Sequence, residues 1–335
     1  MTTTIAINGF GRIGRCSLRA LYELGRDDLK IVAINDLVEP DHMAHLLKYD
    51  SVHGTFQKDV SVEGDTLIVD GDRIRLTANP KPEDLPWSDV DVVLECTGRF
   101  TARDSASRHL ENGSKRVLVS APASGADRTV VFGVNHAELT EDDVIVSNAS
   151  CTTNCLAPVA KVLDDTFGIE TGYMTTIHAY TGDQPTHDRD HKDLYRARAA
   201  ALSMVPTSTG AARAISLVLP HLEGKLEGSA IRVPTANVSM VDLTVMTAKP
   251  ADTAAVNAAM QEASQGALKG VLGYEEAPLV SSDYNHNPHS SIFAPALTSV
   301  TDGGMVRIVS WYDNEWGFSC RMLDTAAHIG GILAS

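Results

Sequence analysis

The chain has no run approaching the roughly 20 apolar residues that a membrane helix requires, so no membrane span is expected. Its first residues, MTTTIAINGFGRIGR, hold no basic stretch leading into a long apolar segment, which argues against a secretory signal. Cysteine is scarce. Five thiols at irregular spacing do not make a disulfide framework, and a reducing cytoplasm is the expected compartment. Positive charge is short as well: 28 Lys and Arg stand against 43 Asp and Glu, a net charge of −15. That balance argues against a general nucleic-acid binder, which gathers cations on one face, but it does not repel a small anion from a local cationic pocket. There is no low-complexity tract and no internal repeat. What remains is an ordinary globular composition, 43% apolar over 335 residues, enough for one large or two ordinary domains with substantial cores.

The N-terminal half alternates strand and helix. Residues 3–8 (TTIAIN) are apolar and β-branched, suited to a buried strand, and GFGRIG follows at once, ahead of an amphipathic helical pattern to about Leu24. A second strand over 30–35 (KIVAIN) ends at Asp36, 22 residues after Gly14. This is the G-x-G-x-x-G arrangement of a dinucleotide site. Gly9, Gly11 and Gly14 permit a tight turn, backbone approach to a pyrophosphate and close helix packing, and the helix N-terminus offers its N–H groups to the phosphates. Asp36 would accept hydrogen bonds from the adenosine ribose. Further strands are expected at 91–97, 115–120, 129–132 and 144–147, with a helix at about 102–111, continuing a parallel α/β sheet. Residues 60–77 alternate polar and apolar around Gly-Asp and Asp-Gly turns and read as an antiparallel surface meander.

After residue 150 the pattern changes. A helix over about 151–166 leads to a strand at 171–179, then a polar loop rich in His and Asp. Strands follow at 230–233, 238–248 and 305–312, with helices near 210–218 and 252–266. β-α-β alternation is rare here, so the expectation is an α+β domain over 151–315 whose sheet is mixed or antiparallel, following an α/β domain over 1–150. The final apolar pattern, from about 316 to 335, is expected to return to the first domain as a helix.

The segment SNASCTTNC (147–155) sets Cys151 and Cys155 among small polar side chains. Four apart on a helix they share a face, but a zinc site needs about four ligands and no second Cys or Cys/His pair is apparent. No third cysteine follows closely enough for an iron–sulfur cluster, and no metal is expected. Spacing leaves two readings open, a nucleophile or a buried structural thiol. Ser150 suits an N-cap, which would put Cys151 in the first helical turn, where the dipole and free N–H groups favour a thiolate. Cys155, one turn deeper and in a more apolar setting, reads as packing. His178 ends an apolar strand beside a Thr/Asp-rich loop, where it is either a base or a satisfied polar residue. With a dinucleotide site, a Cys–His couple suggests aldehyde oxidation through a covalent thiohemiacetal.

Seven segments carry a family resemblance: INGFGRIGR, SNASCTTNC, HAYTGDQ, RARAAA, VPTSTGAA, RVPTANVSMVDL and SWYDNEWG. They stand in the order seen in phosphorylating glyceraldehyde-3-phosphate dehydrogenases, and the likeness runs from about residue 5 to 325. The resemblance implies a homotetramer of two-domain subunits, a Rossmann dinucleotide-binding domain and a catalytic domain. It implies Cys151 as nucleophile and His178 as the group that activates it. Arg12 and Ile13 would join the glycines at the cofactor phosphates, Asp36 would meet the adenosine ribose, Ser120 the nicotinamide side, and Asn314 the nicotinamide carboxamide. Thr181 and Arg232 match the site for the substrate's own phosphate. Ser150, Thr152, Arg196, Thr209 and Gly210 match the residues around the attacking inorganic phosphate. Arg232 also stands out by its setting, since an arginine inside a strand wants an anionic partner. The implied reactants are a phosphorylated aldehyde, inorganic phosphate and NAD. NAD is expected over NADP because the Asp36 carboxylate suits free ribose hydroxyls and bulky Leu37 follows it. Three positions depart from the common pattern: Phe318 replaces a frequent tyrosine, Pro80 a polar residue near the adenine, and Arg189-Asp190 a Leu-Pro pair. Two rivals remain, an erythrose-4-phosphate dehydrogenase whose thioester is resolved by water, and a catalytically silent binding protein of the same fold.

Overall fold

The structure, a computed structural model, describes residues 2–334 and divides into two compact units. One comprises the chain up to Ser150 together with the part from Ser319 on; the other spans Cys151–Phe318. In the first, β1 (Thr3–Asn8) leads into α1 (Arg12–Glu23) and β2 (Leu29–Asn35), followed by α2 (Pro40–Lys48) and a hairpin of β3 (Tyr49–Asp50) and β4 (Gly54–Thr55). Next come β5 (Val60–Glu63), β6 (Thr66–Val69) and β7 (Asp72–Thr77), then β8 (Val92–Glu95), α3 (Arg103–Ala106), α4 (Arg108–Glu111), β9 (Arg116–Val119), β10 (Arg128–Thr129) and β11 (Ile145–Ser147). Nine of these strands form one sheet in the order β10-β11-β9-β8-β1-β2-β7-β6-β5.

At its centre β1 pairs in parallel with β2 on one side and β8 on the other, and Ile5, Ile7, Val92 and Leu94 are fully buried. Such unbroken apolar strands are what a sheet covered on both faces demands. The chain leaves β1 where strand order reverses, the point at which open α/β sheets bind ligands. The segment 60–77 is antiparallel as expected but is no separate excursion: β7 pairs in parallel with β2, so the meander widens the main sheet. Its alternation already required a covered face, and Leu67, Val69 and Ile74 fill it. The helix expected at 102–111 is broken at Ser107 into α3 and α4. Helix α2 was not anticipated; Pro40 opens it at a position proline favours, and Met43 and Leu47 pack inward.

The second unit begins with α5 (Cys151–Phe167) and β12 (Ile169–Ala179), then β13 (Val205–Ser208), α6 (Ala211–Ala214), β14 (Leu226–Val233) and β15 (Ser239–Thr247). After α7 (Thr253–Gln265) come β16 (Leu272–Tyr274), β17 (Ser291–Phe293), β18 (Ser299–Val300), β19 (Met305–Tyr312) and the start of α8 (Trp316–Ala334). Seven strands follow the order β13-β14-β12-β15-β19-β17-β16, and β18 pairs with β19. The sheet is mixed: β12 and β14 are parallel, while β15 is antiparallel to both β12 and β19. One face, carrying Val241, Leu243, Val245 and Ile308, is buried, with α5 packed against β15, β17 and β19. On the other face Tyr173, Ile231 and Met305 are exposed. The helix expected near 210–218 is the four-residue α6 followed by a 3₁₀ turn over Ile215–Leu217.

Candidate active site

Alternation along β12 turns Thr176 and His178 to the buried face, and His178 meets the first residue of α5. Cys151 Sγ lies 3.5 Å from His178 Nε2. His178 Nδ1 lies 2.6 Å from the carbonyl oxygen of Ala179, an acceptor that favours a proton on Nδ1 and a lone pair on Nε2 toward sulfur, and 3.1 Å from Arg232 Nη1. Arg232 Nη1 donates to the same carbonyl (3.0 Å) and to Thr181 Oγ1 (3.1 Å). Burial pushes the Cys151 thiol above its ordinary range, against the pull of Arg232 and of hydrogen bonds at Thr152. Burial and then the Arg232 cation push His178 down to about 3. Burial thus disfavours both charged forms, thiolate and imidazolium, while Arg232 favours the thiolate. Tyr312 braces the couple. Its hydroxyl bonds Thr152 Oγ1 (2.8 Å) and Thr176 Oγ1 (2.9 Å), and its ring meets that of His178 edge-on at 5.9 Å.

Cys155 is different. It is fully buried, its sulfur lies 3.5 Å from Ser291 Oγ, and burial raises the thiol to about 12. The structure thus separates the two cysteines by environment, one half-buried beside a base and one sealed in the core.

Two cationic groups gather near His178. Thr181 donates to Asp183 Oδ1 (2.5 Å), and Arg196 Nη1 donates to Asp183 Oδ2 (2.8 Å), so one carboxylate ties the Thr181–Arg232 pair to Arg196. Arg196 Nε also reaches Thr207 Oγ1 at 3.0 Å, beside Thr209 and Gly210 at the end of β13. Thr209 Oγ1 accepts the N–H of Ala211 (3.2 Å) just ahead of α6, with Gly210 exposed between them. Asn314 is buried just after β19, its Oδ1 accepting from Ser239 Oγ at 2.8 Å. Its neighbour Asp313 accepts the N–H groups of Glu315 (2.9 Å) and Trp316 (2.7 Å), which caps α8.

In the first unit, a cleft at the end of β1 and β2 is lined by Gly9, Gly11, Asp36, Leu37 and Pro80. Gly9 has φ +93°, and a Cβ there would stand 2.6 Å from the Thr97 nitrogen. A Cβ on Gly14 would stand 2.3 Å from the Gly9 carbonyl, whereas one on Gly11 would meet nothing within 4 Å. The turn is thus a cradle that side chains would fill or break, and it opens toward the cleft at Gly11. Arg12 and Ile13 supply first-turn N–H groups of α1. The Arg12 guanidinium itself binds Asp50, whose carboxylate is 3% exposed and held well below the usual range. That leaves the backbone of Arg12, rather than its side chain, to meet a phosphate. Asp36 accepts from Phe10 N (2.6 Å) and Val38 N (3.2 Å), which still leaves lone pairs for two hydroxyls. Ser120 follows β9 with its hydroxyl beside the Cys96 thiol. These features fit a dinucleotide: an open glycine turn, a helix end and an anchored carboxylate.

Comparison with known proteins decides the family. Residues 3–103 match the family profile "Glyceraldehyde 3-phosphate dehydrogenase, NAD binding domain", and residues 150–314 match "Glyceraldehyde 3-phosphate dehydrogenase, C-terminal domain". The chain is 62% identical over 333 residues to the glyceraldehyde-3-phosphate dehydrogenase of Cereibacter sphaeroides, covering 99% of this chain and 100% of that protein. This chain belongs to the glyceraldehyde 3-phosphate dehydrogenase family. Similar proteins of the same name in Xanthobacter flavus (60%, covering 98% of this chain and 99% of that protein) and Geobacillus stearothermophilus (54%, 98% of each) also align over nearly their whole length.

Within this glyceraldehyde 3-phosphate dehydrogenase fold, four contributors escaped the sequence reading. Asp183, Tyr312 and Ser239 each hold a candidate site residue in place, and Asp313 fixes the turn that follows Asn314. Asp183 lay within the quoted HAYTGDQ, two residues after Thr181, where an acid between cation-rich groups was a usable signal. Beneath the first unit's cleft, Glu95 accepts from Asn8 Nδ2 (2.6 Å) and contacts His109 Nε2 (2.9 Å), all buried and none signalled by spacing. Of the departures, Phe318 is buried, Pro80 lines the cleft and Arg189 is exposed. No helix among the described residues is long and apolar enough to cross a membrane.

Proposed function

We propose that this chain oxidises D-glyceraldehyde 3-phosphate with NAD and inorganic phosphate to 1,3-bisphosphoglycerate and NADH, a step of glycolysis and gluconeogenesis. The observation that carries the reading is the 3.5 Å Cys151–His178 contact beside the Arg232–Thr181 pair. The relatives' shared name supports the substrate.

Cys151 Sγ bonds to the aldehyde carbon as its proton passes to His178 Nε2, whose lone pair toward sulfur is favoured by the Nδ1–Ala179 contact. The oxyanion is stabilised by the Cys151 N–H and the protonated imidazole, then takes up the proton as a thiohemiacetal. His178 next removes the hydroxyl proton while hydride leaves the carbon; accepting it is the chemistry NAD supplies when bound. A thioester remains on Cys151. A phosphate oxygen attacks that carbonyl, and the departing thiolate recovers its proton from His178.

Thr181 and Arg232 hold the substrate's own phosphate; Ser150, Thr152, Arg196, Thr209 and Gly210 hold the attacking one. Gly9, Gly11, Gly14 and the N–H groups of Arg12 and Ile13 would hold the cofactor phosphates, Asp36 the adenosine ribose, and Ser120 and Asn314 the nicotinamide end. A cytoplasmic homotetramer completes the reading. Five free thiols suit a reducing compartment, and the uncovered sheet face with Tyr173, Ile231 and Met305 suits a subunit contact.

The test is NADH formation from glyceraldehyde 3-phosphate with and without inorganic phosphate. Turnover should depend on phosphate. Equal turnover without it would favour water as acyl acceptor, and no NADH in either case would favour the silent binding protein.

A further inference from the structure

Val238 has φ +69°, a left-handed backbone that a β-branched residue rarely adopts, and it is buried. Strain of this kind persists only where the surroundings over-determine it, and it clusters at functional sites. Both neighbours of Val238 are tied to the segment carrying Asn314. Asn237 Nδ2 donates to Asp313 Oδ2 (2.8 Å) and to Asn285 Oδ1 (2.8 Å). Ser239, 1% exposed, opens β15 beside the ends of β12 and β19. Its Oγ accepts the Ala179 N–H (3.0 Å) and donates to Asn314 Oδ1 (2.8 Å). The carbonyl of that same Ala179 holds His178 Nδ1 and Arg232 Nη1.

A serine hydroxyl has one proton. With the Ala179 N–H directed at an oxygen lone pair, that proton goes to Asn314, which must present an acceptor to it. The carbonyl end of the Asn314 amide is therefore turned toward Ser239, and its NH₂ end is left as a donor. Without such a partner the two ends of an amide, nearly equal in shape, exchange by rotation about the last side-chain bond. A rotated Asn314 would offer an acceptor where a donor is wanted.

We propose that Ser239 is a positioning residue that fixes the polarity of the Asn314 amide, so that Asn314 offers its NH₂ group to the oxygen of the nicotinamide carboxamide. The left-handed backbone at Val238 is what delivers the Ser239 hydroxyl to that place. The inference rests on the assignment of Asn314 to the nicotinamide made above, and it adds the residue through which Asn314 acts.

A double-mutant cycle in the full-length enzyme tests it, with NAD dissociation constants read from the quenching of tryptophan fluorescence. Ser239→Ala is expected to weaken NAD binding about 5- to 10-fold. Asn314→Ala should weaken it at least as much, and the double variant should bind no more weakly than Asn314→Ala alone. Ser239→Ala binding NAD like the wild type would overturn the proposal. So would a loss from Ser239→Ala that persists in the Asn314→Ala background, because a general loosening of β15 does not need the amide. If Asn314→Ala alone leaves NAD affinity unchanged, the assignment of Asn314 itself falls and takes the proposal with it, which the single variant reveals by itself.

Discussion

The nucleotide cleft of the first unit and the thiol site of the second are made of different parts of the chain. The cleft is mostly backbone: a glycine turn, the N–H groups opening α1, and a carboxylate, Asp36, that is itself anchored by two backbone N–H groups. The thiol site is mostly side chain. Cys151, His178, Arg232, Thr181 and Asn314 are each set by another side chain or by a single carbonyl. The two therefore fail in opposite ways. A backbone site is damaged by adding atoms, and a side-chain site by removing them.

The largest effect should come from removing the nucleophile. Cys151→Ala should lower turnover by at least about 10⁴-fold, while Cys155→Ala, in the same helix, should keep activity within a few-fold and lose some stability. Initial rates of NADH formation measure the first, and chemical denaturation the second. Full activity in Cys151→Ala would end the distinction between the two thiols.

Adding one methyl should damage the cleft almost as selectively. Gly9→Ala forces a side chain onto φ +93° and within 2.6 Å of the Thr97 nitrogen. Strain and overpacking together cost about 2–4 kcal/mol, and NAD affinity should fall with stability. Calorimetric titration with NAD checks this; wild-type affinity in Gly9→Ala would show that the turn is not the cradle.

Arg232→Ala sharpens the side-chain half through pH. The Arg232 cation favours the Cys151 thiolate and disfavours protonated His178, so its loss lets both values rise. His178 starts near 3 and stays neutral through the neutral range, so the thiol governs: half-maximal alkylation by iodoacetamide should move to higher pH. The KM for the aldehyde should rise by about 10-fold or more as a charge-assisted phosphate contact is lost, with the KM for NAD within about 2-fold. A shift of the alkylation profile to lower pH would overturn this account of Arg232.

The same contrast explains what the sequence disclosed. The cleft was legible because its parts are contiguous: Gly9, Gly11 and Gly14 sit in one turn between a strand and a helix, and Asp36 closes the next strand. Cys151 and His178 stood out by residue type and position, but nothing in their spacing named the Ala179 carbonyl that favours one imidazole tautomer. Backbone partners carry no letter of their own. Thr209 matched a phosphate contact, while the bond its hydroxyl makes within the chain is to the Ala211 N–H. Ser239 reaches Asn314 across 75 positions, a distance over which local pattern says nothing. The fold was lost at similar places. The pairing of β7 with β2 joins Ala33 to Arg75, and alternation in 60–77 says that a face is covered without saying which strand lies alongside.

The rims of the nine-stranded sheet have a consequence for how the chain behaves among its own copies. An unpaired sheet edge is a template on which a second chain can polymerise. Here one rim is β10, two residues long, and the other is β5, four residues long. Glu63 on β5 is held by Arg73 at 2.8 Å, and Lys58 just before it pairs with Asp70 at 2.8 Å. An arriving strand would have to strip these ions of water for the sake of a few backbone bonds. Parallel sheets assemble slowly and leave such edges uncovered while they form. Charged, truncated margins are thus a safeguard against fibrous growth during folding.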